Sequence, residues 1–233
     1  MASKLEILAY EDSPLGTLCL RRRELLKSPG TFVTEVTLNH EFLMSSLYTD
    51  SERELARIAI ERHGGTDLSV LIGGLGLGYT AQATLASGRV GKVEVAELLP
   101  EVIDWMRKGL VPLSEELNAD ERLQTTPCDV YRRLCGPRES RFDLILIDVD
   151  HSPEERLGEQ ADDFSQMFYT ERGLRLAKQH LTPGGMLAVW SYDQSSPFVD
   201  ALHAVFGEVH VQDVSYQNDL VDERCTDWLF FAR

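Results

Sequence analysis

Ser69-Val70-Leu71-Ile72-Gly73-Gly74-Leu75-Gly76-Leu77-Gly78-Tyr79-Thr80-Ala81 is the segment that decides the fold. Its first four residues form a short, β-branched and leucine-rich run bounded by glycine, the pattern of a parallel strand covered on both faces. The alternate glycines then free the backbone for positive φ and for close approach to a ligand that any Cβ would push away. From Tyr79 onward the sequence favours a helix whose N-terminal amides point at that ligand. This is the opening strand-turn-helix of a nucleotide-binding α/β unit.

The chain of 233 residues is long enough for one sizeable α/β core with a small appendage. Hydrophobic residues make up 43% and charged residues 26%, an ordinary globular balance. No apolar run approaches the ~20 residues of a membrane span, and the opening Met1-Ala2-Ser3-Lys4-Leu5-Glu6 has no apolar signal core, so no membrane partner and a cytoplasmic location are expected. Cys19, Cys128, Cys135 and Cys225 have no C-x-x-C spacing. They are expected to be reduced structural thiols, with no metal site. A net charge of −15 argues against nucleic acid, whose phosphates need a basic footprint, and leaves cationic small molecules as partners.

Upstream of the glycine segment, residues 5–38 alternate apolar and polar between Ser13-Pro14 and Ser28-Pro29-Gly30. That pattern predicts antiparallel strands, and hence a small β appendage over residues 1–45 before a catalytic domain over 46–233. Arg21-Arg22-Arg23 is expected at a solvated strand end. Ser51-Glu52-Arg53-Glu54 has capping-box spacing and predicts a helix to about Arg62. Downstream, strands are predicted at Lys92–Ala96, Leu123–Thr126, Phe142–Ile147 and Met186–Trp190, the last after a Leu181–Gly185 turn. Helical stretches alternate with them, and Val209–Tyr216 with Asp227–Ala232 forms a closing antiparallel pair. Such alternation gives a mostly parallel sheet with right-handed crossovers, and its ligands sit at the carboxyl ends of the strands.

That rule turns a list of acids into a cluster. Glu97, Asp129, Asp148 and Asp150 each follow a predicted strand and should face the same crevice as Gly73, Gly74, Gly76 and Gly78. A carboxylate about 20 residues beyond the glycine loop, here Glu97, suits the ribose hydroxyls of an adenosine-type ligand. Gly76-Leu77-Gly78-Tyr79-Thr80-Ala81 also satisfies G-x-G-x-x-A, which admits a dehydrogenase. Asp129, placed to accept from an adenine amino group, and the Leu181-Thr182-Pro183-Gly184-Gly185 turn count against that reading.

Together these residues, with Cys128-Asp129 and Phe142-Asp143-Leu144-Ile145-Leu146-Ile147-Asp148, resemble the class I methyltransferase fold, a Rossmann-like α/β architecture. More narrowly they resemble the spermidine synthase, or polyamine aminopropyltransferase, family, whose members carry a small β domain before such a core. The resemblance implies that the glycine loop holds the tail of S-adenosylmethionine or its decarboxylated form. Glu97 then binds the ribose, Asp129 the adenine, and Asp148 matches the catalytic aspartate. It also implies a possible homodimer. The chain departs from the family pattern in three places. Asp148-Val149-Asp150-His151-Ser152-Pro153 stands for an Asp-Ser-Ser-Asp-Pro type sequence, and Leu75 and Leu77 fall in a loop that is G-G-G-D-G-G in the family. No Tyr-Gln or Tyr-His pair precedes the core around Thr34-Glu35 and His40-Glu41.

The expected chemistry is in-line attack of a neutral amine on a sulfonium donor, with Asp148, Asp150 or His151 taking the proton. Trp190, Tyr192, Asp193 and Tyr216 are expected to wall the acceptor pocket, where aromatic faces suit a cation. Residues 154–163 are expected to form a lid. The leading expectation is therefore aminopropyl transfer from decarboxylated S-adenosylmethionine to a small amine, releasing methylthioadenosine. Methyl transfer from intact S-adenosylmethionine, aminocarboxypropyl transfer or cyclisation, and nucleoside binding without turnover are the alternatives.

Overall fold

The computed structural model describes residues 4–149, 164–218 and 222–233. Two sheets are present. Strands β1 (Leu5–Ser13), β2 (Gly16–Glu24), β3 (Phe32–Leu38) and β4 (Glu41–Ser45) form an antiparallel sheet in sequence order. The fourth strand was not apparent from the alternation upstream. Arg21-Arg22-Arg23 lies at the end of β2, as expected, but only Arg22 is exposed there. Strand periodicity sends Arg21 and Arg23 to one face, where both bond the buried Glu35 at 2.9 and 2.6 Å, and Arg22 to the other, where it pairs with exposed Glu6. Burial alone would raise the Glu35 pKa, but its hydrogen bonds from Arg23 and Arg21 prevail and lower it.

The second sheet follows helix α1 (Asp50–His63). It is built from β5 (Leu68–Gly73), α2 (Tyr79–Leu85), β6 (Val90–Glu97), α3 (Pro100–Arg107), α4 (Ser114–Ala119), β7 (Leu123–Pro127), α5 (Val130–Cys135) and β8 (Phe142–Ile147). Then come α6 (Phe164–Phe168), α7 (Glu171–Lys178), β9 (Leu181–Ser191), α8 (Ser196–Val205), β10 (Val209–Asn218) and β11 (Glu223–Ala232). The strand order is β10-β11-β9-β8-β5-β6-β7. The five strands from β9 to β7 are parallel, and β11 and β10 are antiparallel to their neighbours. This is the Rossmann-like, mostly parallel α/β fold that the sequence predicts. The Leu181–Gly185 turn is absorbed into β9 as an irregularity, where pairing steps from Phe142 with Leu181 to Leu144 with Met186.

Both faces of the sheet are covered, so Val70, Leu71, Ile72, Leu144, Ile145 and Leu146 are all fully buried, as an uninterrupted apolar run requires. Leu18, Leu20 and Val36 of the small sheet share one buried cluster with Leu55 and Ala59 of α1 and Val70 and Ile72 of β5. The small sheet thus packs over the same sheet face as α1. None of the helices among the described residues is long and apolar enough to cross a membrane.

The order also fixes where a ligand belongs. From β5 the chain moves to β6 and β7 on one side, then crosses to β8 and β9 on the other, so the switch point lies between β5 and β8. Gly74 stands there with φ +94°. A Cβ on it would lie 2.1 Å from the Asp148 carbonyl oxygen, so the backbones after β5 and β8 can meet only at glycine.

Candidate active site

Above the switch point opens a cleft of about 670 Å³, lined by the carboxyl ends of the parallel strands, the start of α1 and the β4 side of the small sheet. Taken across the strand order, its groups form a row. Asp129 follows β7, Glu97 ends β6, Gly74 follows β5, Asp148 follows β8 and Trp190 lies near the end of β9. Strands are about 4.8 Å apart, so Asp129 and Asp148 are separated by three spacings, roughly 14 Å, the extent of a nucleoside with a short tail.

Glu97 is 7% exposed. Its Oε2 accepts from the Leu75 amide at 2.7 Å and its Oε1 from the Leu99 amide at 2.8 Å, so one carboxylate pins both the glycine loop and the entry to α3. Burial raises its pKa against the opposing pull of those amides. The Gly76 and Leu98 amides pull on this carboxylate in the same direction. Asp129 is the N-cap of α5, its Oδ1 accepting from the Tyr131 and Arg132 amides at 2.8 and 3.2 Å. The glycines divide their work. Gly74 and Gly76 line the cleft, whereas a Cβ on Gly73 would strike Val130 and one on Gly78 would strike Leu117.

Asp148 accepts a hydrogen bond from the Thr80 hydroxyl, which also lies 3.2 Å from the Glu52 carbonyl oxygen. Burial, with Asp227 nearby, raises the Asp148 pKa to about 6. Two further carboxylates, neither expected as site residues, share this end of the cleft. Glu52 sits in the first turn of α1, its pKa raised to about 8 by burial and by the charge of Asp148. Asp227 lies on β11, 7% exposed, its pKa raised by burial. Ser51 donates to Asp227 Oδ2 at 2.6 Å and accepts from the Trp190 indole at 3.0 Å. This corrects the predicted capping box. Thr49 is the N-cap of α1, its hydroxyl accepting from Arg53 rather than from a backbone amide of the first turn, and Ser51 is turned into the core.

Tyr216 stacks on Tyr48 with ring centroids 4.8 Å apart, and Trp190 meets Tyr192 edge-on at 6.4 Å. All four line the cleft. Asp193, predicted beside them, is exposed and absent from the lining. Asp150, His151 and the expected lid at 154–163 lie outside the described residues.

Solved structures share this fold. A spermidine synthase from Thermotoga maritima superposes with a TM-score of 0.72 over 97% of this chain and 72% of that one, at 18% identity. The chain has the spermidine synthase fold. A spermidine synthase solved in complex with the transition-state analogue AdoDATO gives a TM-score of 0.70 over 97% of this chain and 71% of that one, again at 18% identity. In sequence, the chain is 28% identical over 128 residues to the polyamine aminopropyltransferase of Prochlorococcus marinus strain MIT 9301. That match spans 55% of this chain and 42% of the relative, so the chain spans less than half the length of the curated relatives it matches. No family model matches.

Proposed function

We propose that the chain is an aminopropyltransferase that moves the aminopropyl group of decarboxylated S-adenosylmethionine to a small amine. The observation that carries this reading is the charge of the cleft at the switch point. Glu52, Asp148 and Asp227 meet there, while the one base among the described lining residues, Arg132, belongs to the Asp129 end. A nucleoside whose adenine reaches Asp129 and whose ribose reaches Glu97 extends its tail along Gly74 and Gly76 to these acids. An aminopropyl tail brings only an ammonium toward Asp148 and its neighbours; a tail that keeps its carboxylate adds a like charge beside its ammonium, and among the described lining residues no basic side chain stands at that end. The similarity to polyamine aminopropyltransferases supports the same choice.

The residues can perform the reaction as follows. The acceptor's neutral nitrogen attacks the aminopropyl carbon attached to sulfur. A C–N bond forms as the C–S bond breaks, and the C–S electron pair returns to sulfur to leave neutral methylthioadenosine. The nitrogen, now positive, gives a proton to Asp148. Most of the acceleration comes from holding nitrogen, carbon and sulfur in line, and the general base adds to it.

A second reading, methyl transfer from intact S-adenosylmethionine, is favoured by Leu75 and Leu77, which are buried and leave the glycine loop without an acid for a tail amine. Purified protein given either donor with a panel of mono- and diamines separates the two by mass spectrometry. Methylthioadenosine with an aminopropylated amine is expected, with kcat/KM for the decarboxylated donor at least about tenfold higher, the worth of some 1.4 kcal/mol. S-adenosylhomocysteine with a methylated product establishes the second reading instead.

A further inference from the structure

Asp148 stands in a sequence position where an acid was expected, but Glu52 and Asp227 do not. Glu52 comes from a helix outside the sheet and Asp227 from an antiparallel strand, yet both converge on the same end of the cleft. Their environment is costly. Asp227 is 7% exposed, and Glu52 Oε2 is buried with no hydrogen-bond donor. Among the described residues, no ion pair includes Glu52, Asp148 or Asp227. Arg53, beside Glu52 in sequence, instead bonds Gln82 and lies over the Tyr79 ring, 4.8 Å from its centroid. Buried carboxylates that lack a partner cation either take up protons or mark a place where a cation binds.

The ordering of Asp227 points to binding. Its Oδ2 is fixed by Ser51, and Ser51 is itself oriented by the Trp190 indole, so the protein's own hydrogen bonds hold the carboxylate in place. The Tyr48–Tyr216 stack and Trp190 supply aromatic faces in the same cleft, which suit an alkylammonium.

We infer that Glu52 and Asp227 are the acceptor-recognising groups of this cleft, and that these two receive a primary ammonium group of the acceptor in exchange for a proton, while Asp148 faces the reacting centre and the donor's tail. The inference rests on the aminopropyl-transfer reading and adds to it which residues select the acceptor. The groups that face Glu52 are Asp148 on the β8 side, Asp227 on β11, Tyr79 on α2, Tyr216 on β10 and its neighbour Arg53. Only Arg53 is a cation, and its guanidinium is engaged as described. Before an ammonium arrives, at neutral pH, the Glu52 carboxyl retains a proton, because burial and two like charges oppose its ionisation. An arriving ammonium reverses that balance, and the proton leaves to solvent.

The test is calorimetry of 1,4-diaminobutane and of propylamine, each added to protein saturated with methylthioadenosine at pH 7.5, in phosphate and in Tris. The two buffers differ in ionisation enthalpy, so the difference in heat counts protons. Release of between half a proton and one proton per amine bound is expected from the parent, and little from Glu52→Gln. Glu52→Gln and Asp227→Asn should each raise the KM of the amine at least tenfold, and the dissociation constant of methylthioadenosine should stay within twofold. Folding is checked by melting. The Glu52 pKa is higher in the folded chain, so its contribution to stability is full below about pH 4.5 and is lost as pH rises through about 8. Glu52→Gln should therefore melt above the parent at pH 8.5 and no higher at pH 4. Unchanged amine KM in both variants, or amine binding without proton release, overturns the inference while leaving aminopropyl transfer intact. A parent that binds no methylthioadenosine overturns both.

Discussion

Asp148→Asn is expected to abolish transfer, lowering kcat by about 10²–10⁴, the usual worth of a positioned general base, with methylthioadenosine still bound. The fold should survive. Asparagine retains an oxygen to accept from Thr80, and removing one of three crowded carboxylates relieves repulsion with Asp227. The parent's kcat should rise with pH through about 6, as Asp148 loses its proton, and the variant should lack that rise. Single-turnover measurement with product detection, alongside calorimetry of methylthioadenosine, checks this. A variant as active as the parent removes Asp148 from the chemistry.

Replacement of Glu97 should damage binding and stability together. Its two oxygens hold the Leu75 and Leu99 amides at two sides of the cleft, and hydrogen bonds to a charged group contribute about 1.5–3 kcal/mol each. Glu97→Ala leaves both buried amides without an acceptor and lets the glycine loop relax. A loss of methylthioadenosine affinity of at least about tenfold, or some 1.4 kcal/mol, is expected together with a lowered Tm. Glu97→Gln is no milder substitute, because its amide nitrogen would face one of the two N–H donors. Calorimetry and thermal melts of both variants test this, and unchanged affinity in both would remove Glu97 from the ligand site.

Why some of this was legible in the sequence and some was not follows from strand direction. In a parallel sheet every strand delivers its last residue to the same rim, so Glu97, Asp129 and Asp148 could be placed on one cleft by knowing only where each strand stops. Asp227 obeys the opposite rule. It lies in an antiparallel strand, where the early residues reach that rim, and its register with Val214 is set by pairing across a hairpin. Glu52 was hidden by a competing pattern. Ser51 and Glu54 fit the spacing of a helix cap, but the Ser51 hydroxyl bonds Asp227, 176 positions away. Helix-cap templates describe local competition for a hydroxyl and carry no information about a tertiary acceptor. For the arginines at the end of β2, only the ion pairs of two of them were hidden. Their alternation in the strand was readable, but the buried Glu35 that draws two of them inward became visible only with the register of β2 on β3. Asp193 shows the converse limit, since a residue just past a strand end can still turn to solvent.

The account depends on one nucleoside lying across the carboxyl ends of β7, β6, β5 and β8. A crystal structure with methylthioadenosine tests this most directly. The adenine is expected beside Asp129, the ribose hydroxyls on Glu97 and the sulfur over Gly74, facing Asp148. A nucleoside bound anywhere else, or bound there with its sulfur turned away from Asp148, would contradict it.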